Sequence, residues 1–317
     1  APYLPIAEAS VEIPPDEGRF FLQLARFDIG ELGYRATEYF FSGTASAFTS
    51  VEELSPDGQW LVEPGETADY TTRLVVVRPI DDEAFSGTVL MEWLNVTSGF
   101  DNGPSWNTGR TGIVREGHAW IGVTAQKVGI EGGNFSLIPL HLKAVNPERY
   151  GSLQHPGDSF SYDIFSQARQ LIRGTGGIDI LEGLQPQTVL ALGESQSASR
   201  LTTYVNAIHP LYNPFDGYLI HSRYQGAQPL AEGPQVRIPT PATVLTREDL
   251  NVPVLVIVTE TDVLDLGYLN DRQDDSALFR LWEVAGTAHG DNYTSVAGFS
   301  DKGTDPSFAV VVENRVV

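Results

Sequence analysis

Short runs dense in apolar and β-branched residues recur along the chain, separated by helical patterns and by long polar stretches rich in glycine and proline. Each run reads as a strand. Tyr34 to Thr49 and Thr71 to Pro79 come first, the second stopped by its proline, and together they predict an antiparallel edge. Thr88 to Asn95, His118 to Thr124, Thr188 to Leu192, Asp216 to His221, Val252 to Thr259 and Phe279 to Ala285 follow. The near-continuous apolar character of runs such as Val252 to Thr259 is that of strands buried on both faces, which are parallel strands. Between them, Ile164, Phe165, Ala168, Leu171 and Ile172 fall on one face of a helix spanning roughly Tyr162 to Arg173. Leu201, Tyr204, Val205 and Ile208 repeat that pattern after the strand at 188–192. Strands alternating with helices predict an α/β fold, with a mostly parallel central sheet and helices on both faces.

No repeat or low-complexity segment divides the chain, so residues 31–317 read as a single domain. Residues 1–30, rich in proline and acid, read as an N-terminal arm lying over the surface. Segments 126–158 and 222–250 are too long and too rich in glycine and proline for ordinary connections. Both leave strand carboxyl ends, so they read as loops covering a site and setting its substrate preference.

Composition narrows the functional classes. With 317 residues, 41% of them hydrophobic, the chain can bury a large core, and no run approaches the roughly 18 apolar residues of a membrane span. Cysteine is absent, which removes disulfides, thiolate metal sites and a cysteine nucleophile together. The formal net charge of −21 repels phosphate backbones and anionic bilayers, so neither nucleic acid nor a membrane is expected as partner. Such a surface suits a saline or extracellular setting. The chain opens on Ala1 without a basic-then-apolar leader, so the expectation is an exported, processed protein, extracellular or periplasmic, with the cytoplasm left open. The six histidines show no metal-ligand spacing such as H-E-x-x-H, and Gly129 to Gly133 lacks the Gly-Lys-Ser/Thr ending of a phosphate loop. No metal and no cofactor are expected.

The candidate chemistry centres on Gly193-Glu194-Ser195-Gln196-Ser197, set between the strand at 188–192 and the helical pattern. A strand, a tight turn with serine at its apex and a helix make a nucleophile elbow. Gly193 leaves room for the turn, and the helix start behind Ser195 offers the Gln196 N–H to a developing oxyanion. The last position is Ser197, where glycine is usual. A serine of this kind needs a base, an orienting carboxylate and a second N–H donor, all at strand carboxyl ends. His289 lies in the small-residue loop Ala285-Gly-Thr-Ala-His-Gly290, just past the last strand. Glu260 and Asp262 follow the strand 252–259, and both are open as the acid. The loop after Asn95, at Val96, is placed to give the second donor. The order serine, acid, histidine is the one this architecture requires.

These residues carry a resemblance. Glu92-Trp-Leu-Asn-Val96, Pro147 to Leu153, His155 to Ala168, Gly193 to Ala198, Phe215 to Gly217, Thr259 to Asp262 and Ala285 to His289 are together similar to the α/β-hydrolase superfamily, in particular to a bacterial α/β-hydrolase-domain group resembling carboxylesterases. The resemblance covers about residues 30–295. It implies an α/β-hydrolase fold and hydrolysis of a small-molecule ester through an acyl-enzyme. It also implies Asp262 as the acid, since the family places it at the fourth position of a Gly-x-x-Asp-like turn; here Thr259 stands in the glycine position. An amidase, peptidase or thioesterase would use the same triad, and a hydrolase-fold ligand-binding protein is the reading outside catalysis.

Several residues take plainer readings. Glu194 is expected as a buried, hydrogen-bonded acid lining the site with Asn95, and Glu260 as a helper or surface charge. His155 and His221 read as structural. The sequons at Asn95, Asn134 and Asn292 read as chance matches, because glycans beside the oxyanion and histidine loops would block substrate. Phe308 to Val317 is a poor helix former where this architecture usually ends in a substantial helix. The expectation is a chain cut short, processed, or completed by a strand, a partner or a further segment.

Overall fold

The computed structural model describes residues 2–133, 139–291 and 293–308. Among the described residues nine strands form one sheet: β1 (Ser10–Glu12), β2 (Tyr34–Ser50), β3 (Val62–Pro79), β4 (Thr88–Trp93), β5 (Ala119–Val123), β6 (Thr188–Glu194), β7 (Gly217–His221), β8 (Val254–Thr259) and β9 (Phe279–Val284). Their order across the sheet is β1-β2-β3-β5-β4-β6-β7-β8-β9. β1 to β3 and the β3–β5 pair are antiparallel, and every pair from β5 through β4 to β9 is parallel. The antiparallel edge read from the sequence is therefore the β2–β3 pair, extended by β1, which the stretch 1–30 contributes. Backbone bonds from Leu4 to Leu211 and from Arg26 to Phe299 tie that stretch down elsewhere.

This order has a consequence for function. The chain runs outward from β4 to β5, then returns across the sheet to β6. β4 and β6 are thus neighbours whose connections leave on opposite sides, the switch point where open parallel sheets form a crevice at their carboxyl ends. The loops after Trp93 and after Glu194 both open into it.

One face of the sheet carries α1 (Pro104–Arg115), which packs Trp106 on Trp120 of β5 with ring centroids 5.4 Å apart. The stretch after β5 holds α2 (Lys127–Glu131), α3 (Leu142–Val145) and α4 (Pro147–Tyr150). The opposite face carries α5 (Ser161–Leu171) and α6 (Gln196–Thr203), followed by α7 (His209–Tyr212). A short helix, α8 (Glu260–Leu264), caps β8. Trp93 of β4 meets Phe165 of α5 at 4.9 Å, and Phe165 meets Tyr204 at 5.6 Å, so an aromatic layer clamps the two helices to the sheet beneath the crevice. Each such ring pair contributes about 0.5–1.5 kcal/mol beyond its buried area. Among the described residues, no helix is long and apolar enough to cross a membrane.

Helix α1 has no counterpart in the sequence reading. Gly109, Gly112 and the buried polar residues Ser105, Asn107 and Arg110 break the apolar period, although Gly103-Pro104 marks its start. A fully buried carboxylate anchors it: Glu92 of β4 accepts the Ser105 and Trp106 N–H groups at 2.8 and 3.0 Å and the Trp120 indole N–H at 2.8 Å. A negative group at a helix start is favoured by the orphan amides there.

A second buried charge cluster holds the antiparallel strands to the loop after β4. Arg73, fully buried, bonds Glu38 at 2.7 Å and Asp101 at 2.8 Å, and Arg149 of α4 bonds Glu38 at 2.7 Å. Replacing Arg73 with methionine leaves two buried carboxylates without their shared partner. A loss of about 3–5 kcal/mol is expected, measurable by urea unfolding. A loss below about 1 kcal/mol, the range of an exposed pair, would show that the cluster is not load-sharing.

Candidate active site

The elbow forms where β6 runs into α6. Ser195 sits at φ 55°, ψ −116°, a region costly for a residue with a side chain and found where the surrounding structure enforces it. Two backbone bonds impose it: the Ser195 N–H donates to the His221 carbonyl at 3.1 Å, and Ser199 N–H donates to the Ser195 carbonyl at 3.1 Å. A Cβ at position 193 would lie 2.7 Å from the Ser197 carbonyl oxygen, so this position requires glycine. The serine at 197 has its own reason. Its buried hydroxyl accepts the Glu194 N–H at 3.0 Å and donates to the Glu194 carbonyl at 2.8 Å, closing the turn that glycine would leave open.

The Ser195 hydroxyl makes no capping bond to its own helix; it meets His289 Nε2 at 2.8 Å. Nδ1 of His289 lies 2.5 Å from Asp262 Oδ1. Asp262 is fully buried, and its other oxygen accepts the Thr259 N–H at 2.7 Å while Thr259 Oγ1 accepts the Asp262 N–H at 3.2 Å. This reciprocal capping box starts α8 and explains threonine in the position where glycine is usual. Thr261 completes the mount by accepting the His289 N–H at 2.7 Å. Glu260, exposed, accepts the Gly286 N–H at 2.9 Å. The structure thus brings Asp262 to the imidazole and puts Glu260 on the backbone of the histidine loop. The bond to Asp262 raises the His289 pKa, burial lowers it, and the nearby Glu194 charge adds to the rise.

Val96 lies in the tight loop after β4, closed by the paired Asn95–Asn102 backbone bonds of 2.8 and 2.9 Å. Among the described residues nothing accepts a hydrogen bond from its N–H. Gln196 supplies the first amide of α6, which has no partner within the helix. Asn95 joins the two loops: its Nδ2 donates to the Glu194 carbonyl at 3.0 Å and to Glu194 Oε2 at 3.2 Å. Its sequon is therefore folded into the site, whereas the sequons at Asn134 and Asn292 lie outside the described residues. Of the stretch Phe308 to Val317, only Phe308 is described.

Other residues around the site escaped the sequence reading. Ser105, at the start of α1, meets His221 Nε2 at 2.9 Å, and burial pushes His221 down to about 4, keeping it neutral beside Asp262. Arg200 of α6, buried, bonds Asp158 at 3.1 Å and also Glu232. It so ties together the stretch 126–158, which carries α2 to α4 where the sequence predicts an irregular loop, and the stretch 222–250. The signal for Arg200 was a lone cation among small residues behind the elbow; for Glu92 it was an acid inside an apolar strand. His155 is buried between the Ala125 carbonyl at 2.9 Å and the Gly157 N–H at 3.2 Å, a structural position. Among the described residues, no group of three or more histidine and acid side chains is placed to hold a metal ion.

A search of curated proteins finds no match to the chain. Solved structures resembling it include a thermostable esterase from Pseudomonas putida, at 13% identity and a TM-score of 0.46, covering 91% of this chain and 83% of that one. Others are a fungal esterase from Rhizomucor miehei (14% identity, TM-score 0.41, 86% and 83% covered) and carboxyl esterase 2 from Tuber melanosporum (15%, 0.41, 76% and 80%). A family model, the alpha/beta hydrolase domain, matches residues 5–315, and the chain belongs to that family.

Proposed function

We propose that the protein is a serine esterase, cleaving small or medium neutral carboxylic esters through an acyl-enzyme. The observation that carries this reading is the unbroken line from Ser195 Oγ through His289 to Asp262, mounted on a strained turn at the switch point. In the first half-reaction Ser195 Oγ bonds to the ester carbonyl carbon as His289 Nε2 takes its proton. The carbonyl oxygen becomes an oxyanion facing the N–H groups of Val96 and Gln196. Collapse breaks the bond to the alcohol oxygen, which leaves with the proton from His289. Water then repeats the steps on the acyl-enzyme, releasing the acid and restoring Ser195. Asp262 holds the imidazole tautomer and balances its positive charge. Each oxyanion donor supplies roughly 10²–10³-fold in rate.

The net charge of −21 supports a neutral substrate over an anionic one, and is also what supports an extracellular or periplasmic setting. The stretches 126–158 and 222–250, pinned to the nucleophile helix by Arg200, are proposed to set acyl and alcohol preference. A panel of p-nitrophenyl esters from acetate to decanoate, run beside a matched anilide, tests the reaction class. Ester turnover with the anilide at least about a hundredfold slower is expected. Faster cleavage of the anilide would make the protein an amidase.

A further inference from the structure

Glu194 stands between the nucleophile and the oxyanion loop, and the mechanism above does not use it. Its side chain is 14% exposed, and Oε1 lies 4.0 Å from His289 Nε2, the nitrogen that faces Ser195. Asn95 fixes the carboxyl from the other side through Oε2. The ring of His289 therefore has a carboxyl group at each nitrogen: Asp262 in direct contact with Nδ1, and Glu194 near Nε2.

We propose that Glu194 is a positioning residue for the proposed ester hydrolysis, acting through His289: its carboxylate stabilises the imidazolium from the Nε2 side, so that turnover responds to a second ionisation beside that of His289. The inference rests on the Ser195–His289 reading. A neutral imidazole gains little from the neighbouring carboxyl. Once His289 takes the Ser195 proton, a full positive charge stands 4.0 Å from Oε1 in a partly buried site, where such a charge is weakly screened.

The groups around Glu194 decide when that help is present. His289 favours the ionised form. Glu92 from β4 and Asp262 from the start of α8 oppose it with like charge. His221, its register partner on β7, is held neutral and adds no charge. Burial is the largest influence and pushes Glu194 up to about 8. At neutral pH the carboxyl therefore mostly keeps its proton. As pH rises through its titration the carboxylate forms, and proton transfer to His289 becomes easier. The two groups titrate as a pair. A merely structural Glu194, closing the elbow through Asn95, would act equally at every pH.

Glu194→Gln keeps the shape and an oxygen for Asn95 while removing the charge. Its kcat/KM is expected within about twofold of wild type near pH 6 and about tenfold lower near pH 9, the second alkaline rise being lost. Glu194→Asp should restore part of that rise. A substrate-free arm follows the ¹⁵N signals of His289, assigned with His289→Gln. In the wild type these signals should show a second, alkaline inflection as the Glu194 carboxylate forms, and Glu194→Gln should lack it. Equal activity at all pH values, a loss independent of pH, or an unchanged His289 titration would each overturn the proposal. The last result does so even for a protein that cleaves no ester. Absence of ester turnover in the wild type, with the alkaline His289 inflection present and lost in Glu194→Gln, would instead strike the proposed function and leave the coupling standing.

Discussion

Ser195→Ala is expected to abolish ester hydrolysis, lowering turnover by roughly 10⁴–10⁶-fold, while the protein remains folded. The hydroxyl caps no helix and closes no turn; its bond is to His289 Nε2. The unusual backbone at position 195 is held by main-chain bonds to His221 and Ser199, which alanine keeps. The closing of the elbow falls to Ser197, not Ser195. Loss of the hydroxyl therefore removes the proposed nucleophile and little else. Turnover of a p-nitrophenyl ester, read beside the thermal unfolding midpoint, checks both halves. Wild-type-like activity in a clean preparation would mean that another group attacks the ester.

The second large effect is expected at Asp262 and distinguishes it from Glu260. Asp262 is fully buried with both oxygens engaged, one by the His289 ring and one by the Thr259 N–H. Asparagine offers one acceptor oxygen for these two donors. Whichever way the amide turns, its NH₂ faces an N–H, or the imidazole adopts the other tautomer and can no longer take the Ser195 proton. Asp262→Asn should lower kcat by about 10⁴-fold with KM little changed. Glu260 is exposed, and its contact is the Gly286 N–H, which a glutamine oxygen can also accept. Glu260→Gln should stay within about threefold of wild type, as befits a surface contact. A crippled Glu260→Gln beside a mild Asp262→Asn would reverse the assignment.

What the sequence made legible follows from how far apart the cooperating residues lie. Strands β4 to β9 announce themselves because each is a local run of apolar residues, and the elbow because its special backbone needs small residues at adjacent positions. Ser195, Asp262 and His289, which the structure links by hydrogen bonds, could be singled out because each follows a strand end that the pattern had already placed. Contacts between elements left no local trace. Glu92 anchors α1 across 13 and 14 residues, and Ser105 reaches His221 across 116, so neither the helix nor the polar layer under the site shows in any short window. β1 has three residues and exists through its pairing with β2. The two departures from the family pattern become intelligible only in three dimensions. Ser197 replaces glycine because its hydroxyl bridges the turn, and Thr259 because its side chain starts the helix that carries Asp262.

Hydrolysis through the proposed acyl-enzyme requires Ser195 Oγ to be the atom that bonds to the acyl group. Incubation with diethyl p-nitrophenyl phosphate, followed by mass spectrometry of the digested protein, tests this directly, because phosphorylated serine is not released on the timescale of the assay. The expected result is one p-nitrophenolate per chain, loss of esterase activity in step with it, and the diethylphosphoryl group on the peptide bearing Ser195, with Ser195→Ala unlabelled. Full inactivation with the label on another residue, or retained activity after complete labelling of Ser195, would contradict it.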